Sequence, residues 1–245
     1  MPAAVFDCEQ SFDEPSSRFT KGFRDRLRRS SRRLSALDDV RFITVTEIDD
    51  IARELEVFLQ VEASGWKGES GTGSAIQLHP ELVAFYRTLA STLGSRGGQD
   101  RCEINSLYAD GRCIASQFCM RTGGEYSISK IAYDEQYSRL SPGLLLMEET
   151  IERCCGDPAL KRLNLQTDGA WQRDWHPDLL AMQQAHLAIG PLSGRSPIAL
   201  LRFRFGPLRE LVHWLGFKRD TAEAARRKPA GPGRDSGDSV RGGPG

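Results

Sequence analysis

The stretch from Cys102 to Tyr133 constrains the fold more than any other part of the chain. Cys102–Ala109, Cys113–Arg121 and Tyr126–Tyr133 are strand-length runs separated by Asp110-Gly111 and Gly123-Gly124. These dipeptides accept the positive φ of two-residue hairpins, so the spacing predicts three consecutive antiparallel strands. Such a sheet must be covered, and the flanking period is helical. Ile48, Ile51, Leu55, Phe58 and Leu59 form one stripe, opened by Thr46 in a T-x-x-D pattern with Asp49 and stopped at Gly65. Leu82, Phe85, Tyr86, Leu89 and Leu93 form a second, after Pro80 and before Gly94. Ser141-Pro142-Gly143 opens a third helix that ends near Gly156. Val40–Val45, Lys161–Leu165 and Ala185–Ile189 read as strands, Asp174–Gln184 as a short helix, and Ile198–Phe217 as a helix interrupted at Gly206-Pro207. The order predicts one α/β domain with a mixed sheet over residues 38–220.

Charge is balanced overall and uneven locally. Lys+Arg and Asp+Glu are both 33, so the chain as a whole offers phosphate no attraction, which argues against a DNA-binding protein. Residues 1–17 hold four acids and no Lys or Arg, and read as a flexible N-terminus. Residues 18–37 hold eight basic residues and one acid, Asp25, with Phe19, Phe23, Leu27, Leu34 and Leu37 at helical spacing. This is a basic amphipathic helix: either a solvated helix packing one stripe on the domain, or a surface for anionic lipid or nucleic acid. Residues 221–245 are Gly, Pro, Ser and charge and read as a disordered tail. No apolar run approaches the roughly 18 residues of a membrane span. The first residues lack the order of a signal peptide. Six cysteines without CxxC, and histidines without ligand spacing, predict reduced thiols, a cytoplasmic setting and no metal.

Chemistry concentrates between Tyr126 and Cys155. Ser141 suits an N-cap, and Pro142 fills a first-turn position that needs no donor. Gly143 adds no side chain to block approach. Free first-turn amides and the helix dipole make an anion site, and Arg139 stands two residues upstream. Glu62, near Lys67, reads either as a general base or as its ion-pair partner. Cys154-Cys155 has no base nearby and is not a nucleophile.

These residues carry a resemblance. Lys130-Ile131-Ala132-Tyr133-Asp134-Glu135, then Tyr137, then Ser141-Pro142-Gly143-Leu144-Leu145, resembles the BioF2-like acetyltransferase domain. That domain belongs to the GNAT superfamily, beside the CelD-type cellulose-biosynthesis proteins and more distantly the FemABX peptidyl transferases. Three other pieces agree in order: Arg28-Arg29 to Leu37, Glu62–Gly68 with Gly71-Thr72, and Asp168 with Trp171 and Trp175.

The resemblance implies a GNAT fold, a mixed and mostly antiparallel sheet flanked by helices. Acetyl-CoA or another acyl-CoA would lie in a cleft between two central strands, with its pyrophosphate on Arg139, Ser141, Pro142 and Gly143. Trp66, Lys67, Asp168, Trp171 and Arg173 fall on the acceptor side. Glu62, Asp134 and Tyr137 are the candidate catalytic groups, with Tyr137 or Tyr133 to protonate the leaving thiolate. Gln172 stands where relatives carry a Lys. Many relatives have a further GNAT-like half before the basic helix, which implies a truncated or single-domain version here. The implied reaction moves an acyl group to an amine or hydroxyl of a small-molecule or sugar acceptor, in polysaccharide or envelope biosynthesis. The alternatives are a non-catalytic GNAT-like partner module and aminoacyl transfer of the FemABX kind. The basic arm adds a membrane-surface contact as a possible partner.

Overall fold

The computed structural model describes residues 2–94 and 100–183. The expected strand Ala185–Ile189, the helix Ile198–Phe217 and the tail 221–245 lie outside these residues. Seven strands form one sheet in the order β2-β3-β4-β5-β6-β1-β7. Its centre is the meander β3 (Arg101–Ala109), β4 (Arg112–Thr122) and β5 (Glu125–Tyr133). Asp110 (φ 52°), Gly111 (φ 73°), Gly123 (φ 57°) and Gly124 (φ 82°) are all left-handed, so both hairpins close as the dipeptides require. β2 (Arg41–Val45) extends the meander antiparallel to β3. β6 (Arg162–Asn164) joins β5 in parallel.

The N-terminus corrects an expectation. Residues Pro2–Asp7 are not a flexible lead but β1, inserted antiparallel between β6 and β7 (Asp178–Ala181). Ala3, Ala4, Val5 and Phe6 are buried. A strand covered on both faces shows a continuous apolar run rather than an alternation, and this one is short enough to escape notice beside four acids. A second correction concerns Asp174–Gln184. It is no helix, but the end of a 3₁₀ turn (Ala170–Trp175) and then β7. His176 is left-handed (φ 49°) and Pro177 follows it, so helical hydrogen bonding cannot continue.

Helices cover both faces. On one lie α3 (Ile48–Ser64) and α4 (Pro80–Gly94), which bury Ile51, Leu55, Phe58 and Tyr86 over Ile104 and Phe118. α3 begins after Glu47 with no side-chain cap, so the Thr46 pattern does not operate as a capping box. The other face carries a short α1 (Asp13–Ser17), α2 (Lys21–Leu34) and α5 (Pro142–Cys155). Thr20 caps α2 by accepting from the Phe23 amide at 3.2 Å. The basic helix therefore packs its stripe on the domain: Phe23, Leu27 and Leu34 are buried. Phe19 and Phe23 meet Trp175 edge-on at 5.4 and 4.8 Å between ring centroids, and Trp175 is 0% exposed. No helix among the described residues is long and apolar enough to cross a membrane.

Two outcomes follow. Deleting residues 1–8 strips a partner from β6 and β7 and is expected to lower the urea midpoint sharply; an unchanged midpoint would contradict the placement of β1. Trp175→Ala is expected to cost about 3–5 kcal/mol, the range for emptying an aromatic site in a core, read from the same denaturation curves.

Candidate active site

β6 accompanies β5 only from Glu125↔Arg162 to Ser127↔Asn164. Each strand has a local reason to part. On β5, Phe118 of β4 stands opposite Lys130 and Cys119 opposite Ile128, so Ser129 is a bulged extra residue. A bulge bends its strand and increases its twist. Beyond β6, Gln166 is left-handed (φ 60°), with its amide held by the Asn164 side chain at 2.7 Å. The chain then follows β1: the Leu165 amide donates to Ala4, and Ala4 donates to Thr167, both at 2.9 Å.

Ser129–Tyr133 is thus left without a strand on its β6 side among the described residues. The Asp134 amide donates to the Ile114 carbonyl at 2.9 Å, toward β4. Strand alternation then turns the amides of Tyr133 and Ile131 toward the gap.

The loop after β5 forms one rim of this gap. Asp134 opens a 3₁₀ turn (Glu135–Leu140), its Oδ1 accepting from the Gln136 amide at 2.9 Å. Ser141 then precedes α5 in a left-handed conformation (φ 53°, ψ 52°). It occupies the N-cap position, yet its side chain makes no capping bond. An N-cap of extended backbone aims its oxygen at the first turn, whereas this geometry turns it elsewhere. The Leu144 and Leu145 amides both donate to the Ser141 carbonyl, at 3.0 and 3.2 Å, and Pro142 has no N–H. Gly143 therefore supplies the one free amide of that turn, fewer than the sequence suggested.

The Arg139 side chain is exposed, and its carbonyl accepts from Arg33 Nη1 of α2 at 3.1 Å. A continued helix would have paired that carbonyl with the Gly143 amide. Arg33 is thus a second cation at this turn, and sequence reading missed it. Its only signal is its place beside the buried stripe of Leu27, Ser30 and Leu34, which says nothing of where α2 ends up.

The Trp66–Lys67 loop forms the neighbouring wall. Glu62, with a side chain 3% exposed, pairs through Oε1 with Lys67 Nζ at 3.1 Å, and its Oε2 accepts from the Ile76 amide at 2.8 Å. Both oxygens are occupied, the arrangement of an ion-pair partner. Lys67 also stands 5.8 Å from the centre of the Trp66 ring. A Cβ on Gly68 would lie 2.3 Å from the Ala63 carbonyl oxygen, and one on Gly71 1.9 Å from that of Trp66. Tight backbone packing therefore requires both glycines. The Trp66 amide donates to Glu135 Oε1 at 3.0 Å, which ties this loop to the end of β5. Glu62, Trp66, Lys67 and Glu135 line a shallow pocket with Ile131 and Tyr133. Trp66 itself is 57% exposed.

The opposite rim follows β6. Asp168 pairs with Arg173 at 3.2 Å, and Trp171 is 49% exposed. Gln172 points inward: its amide oxygen accepts from the Gly169 N–H and its nitrogen donates to Thr167 Oγ1. It shapes the turn rather than facing a ligand. Arg26 of α2 pairs with Asp174 on this side at 2.5 Å, so α2 touches both rims.

The structure therefore gathers Glu62, Trp66, Lys67, Asp134, Arg139 and Ser141–Gly143 around the end of β5. It sets Asp168, Trp171 and Arg173 on the turn after β6. Tyr137 lies half-buried against the core. Burial pushes the Cys154 thiol up to about 12, unsuited to a nucleophile. The Cys155 thiol, lowered by a hydrogen bond with Cys8, sits at the far end of α5.

Comparison with known proteins covers most of this architecture. The chain matches the acetyltransferase (GNAT) domain over residues 21–173, from α2 to the turn holding Trp171 and Arg173. The match names the GNAT domain without naming a branch of it. No curated protein matches.

Among solved structures, the chain is similar to the C-terminal DUF2156 domain of a protein assigned as a lysylphosphatidylglycerol synthetase from Agrobacterium fabrum. Identity is 15%, coverage 73% of this chain and 57% of that one, and the TM-score 0.45. A conserved protein of unknown function from Bacteroides thetaiotaomicron gives 13%, 73% and 56%, with a TM-score of 0.47. FemX gives 10%, 73% and 59%, with 0.37. The chain spans less than three fifths of each of these proteins, and likeness so distant carries no argument about activity. By this match over residues 21–173, which hold β2 to β6 and the residues around the gap, the chain belongs to the GNAT acetyltransferase domain family.

Proposed function

We propose that the protein transfers an acyl group, acetyl in the first instance, from acyl-CoA to an amine or hydroxyl. The observation that carries this reading is the edge of Ser129–Tyr133, which has no strand partner among the described residues and ends beside the Gly143 amide, likewise without a partner among them. A pantetheine arm has amide groups that pair with an open strand edge as an added strand does. The amides of Ile131 and Tyr133 then face the thioester carbonyl and stabilise the oxyanion that forms on attack. The Gly143 amide, Arg139 and Arg33 meet the pyrophosphate, with the α5 dipole in their favour.

The acceptor enters on the Trp66–Lys67 side. Its nucleophile attacks the carbonyl carbon, the C–S bond breaks, and the nucleophile's proton leaves through water to Asp134, whose Oδ2 is not engaged by the turn. Tyr137 protonates the departing thiolate. Glu62 acts as a positioning residue that holds Lys67. The exposed rings of Trp66 and Trp171 favour a sugar acceptor, on whose flat apolar faces they can stack, and Arg173 with Asp168 supplies polar contacts. A role in polysaccharide or envelope synthesis on the cytoplasmic side agrees with this acceptor.

The second reading is a non-catalytic GNAT-like module. The single free amide of the α5 first turn favours it, because a phosphate site usually gathers several backbone donors.

Calorimetric titration with acetyl-CoA separates the two: binding supports the enzyme, and none supports the module. Arg139→Ala is expected to weaken acetyl-CoA binding by about 1.5–3 kcal/mol, the range for a hydrogen bond to a charged group. Unchanged affinity would remove Arg139 from the site. Lys67→Ala is expected to impair turnover of the acceptor while leaving acetyl-CoA affinity near the wild-type value. Equal loss of both would contradict the division between the two walls.

A further inference from the structure

We infer that the outward ridge of α2 docks the protein on an anionic membrane surface, by charge and without insertion. α2 carries seven Lys and Arg residues and one acid, Asp25. A basic amphipathic helix ordinarily binds a bilayer by laying its apolar stripe among the acyl chains. That mode is closed here. Phe23, Leu27 and Leu34 are buried in the domain core, and Phe23 packs on Trp175. What remains for a partner is the opposite side.

At 3.6 residues per turn, Lys21, Arg28 and Arg32 lie opposite the buried stripe, with Arg29 beside them. All four are exposed. Lys21, Arg29 and Arg32 have no carboxylate partner among the described residues, and Arg28 approaches only Asp25, at 3.6 Å. Arg26 and Arg33 are different: they turn to Asp174 and to the Arg139 carbonyl. The helix thus divides its cations into a set that braces the fold, in which Arg24 Nη1 also donates to the Phe19 carbonyl at 2.7 Å, and an exposed set that no other described element engages.

A groove runs along this ridge. Arg24, Arg28 and Arg32, one turn apart, form one wall of a hollow of about 420 Å³ with Phe19 and Leu27 at its floor. A phosphodiester headgroup fits both its charge and its size. Glu148 of α5 stands on the other wall. Burial first, and then Glu152 and Glu149, raise the Glu148 pKa. The exposed acids of α5 confine the contact to the α2 ridge.

Nucleic acid fits less well. Phe19 and Phe23 are buried, so the arm presents no aromatic ring on which a base can stack. The ridge is a single straight row of cations, a shape that suits a flat surface. Each cation that reaches the headgroup layer is expected to raise affinity about fivefold, so four give an effect on the order of several hundredfold.

The test is co-sedimentation of the full chain with vesicles of phosphatidylcholine alone or mixed with phosphatidylglycerol, with an RNA-binding assay in parallel. Binding is expected to the mixed vesicles only and to vanish at high salt. Arg28→Ala and Arg32→Ala should each weaken it about fivefold. Arg87→Ala, which breaks a pair with Glu56 on the other face of the sheet, should leave it unchanged. The double variant Arg28→Glu/Arg32→Glu should abolish sedimentation with an unaltered melting temperature. Equal binding to neutral vesicles, no binding to either, equal loss with Arg87→Ala, or tight RNA binding without vesicle binding would each overturn the proposal.

Discussion

Among the described residues, the backbone amides of Ile131 and Tyr133 meet no strand because β6 leaves β5 after Asn164. Unpaired strand edges are costly when buried and attract partners when open. Two local events create this edge. The Ser129 bulge bends β5, and the left-handed Gln166 steers the other chain onto β1. β1 is therefore part of the cause: without its carbonyls and amides at Ala4, the segment after β6 would have no reason to turn away from β5.

The rims of the gap are held by bonds that reach across elements. Glu135 anchors the Trp66 loop to the end of β5, and Glu62 holds Lys67 in that loop. Arg33 and Arg26 reach the two sides of the gap from one helix. α2 can do this because its core stripe is rigidly seated between Trp175 and α5. Its arginines then start from a fixed backbone and lose less freedom on binding than surface side chains on a mobile arm. The same seating withdraws its apolar face from any bilayer and leaves only the charged ridge.

Much of the fold was legible because its signals are local. Asp110-Gly111 and Gly123-Gly124 have few alternatives to positive-φ hairpins, and Ser141-Pro142-Gly143 can scarcely do other than begin a helix. The family motif added the order of strand, loop and helix around the site. Illegible were the features decided by packing. β1 carries no alternation because both its faces are buried. Trp175 and Trp171, four residues apart, look equivalent in the sequence, yet one is sealed in the core and the other half exposed. Gln172, a substitution that looked like a lost charge, turns inward to shape its own turn.

The candidate site divides in the same way. Residue types and their spacing marked Arg139 and Ser141–Gly143, since a cation and a helix start announce their chemistry wherever they occur, and the family resemblance marked Glu62 and Lys67. Which of their atoms are free is a tertiary matter. The left-handed Ser141 leaves one amide where three positions seemed open, Glu62 has both oxygens engaged, and Arg33 arrives from more than a hundred residues upstream. The sequence by itself determined the central strands, the hairpins and the chemical inventory, because backbone preference and side-chain type act over a few residues. Only the tertiary structure decided where the sheet opens and which donors face the opening, because hydrogen bonds between distant segments compete for the same backbone groups and only the folded chain settles that competition.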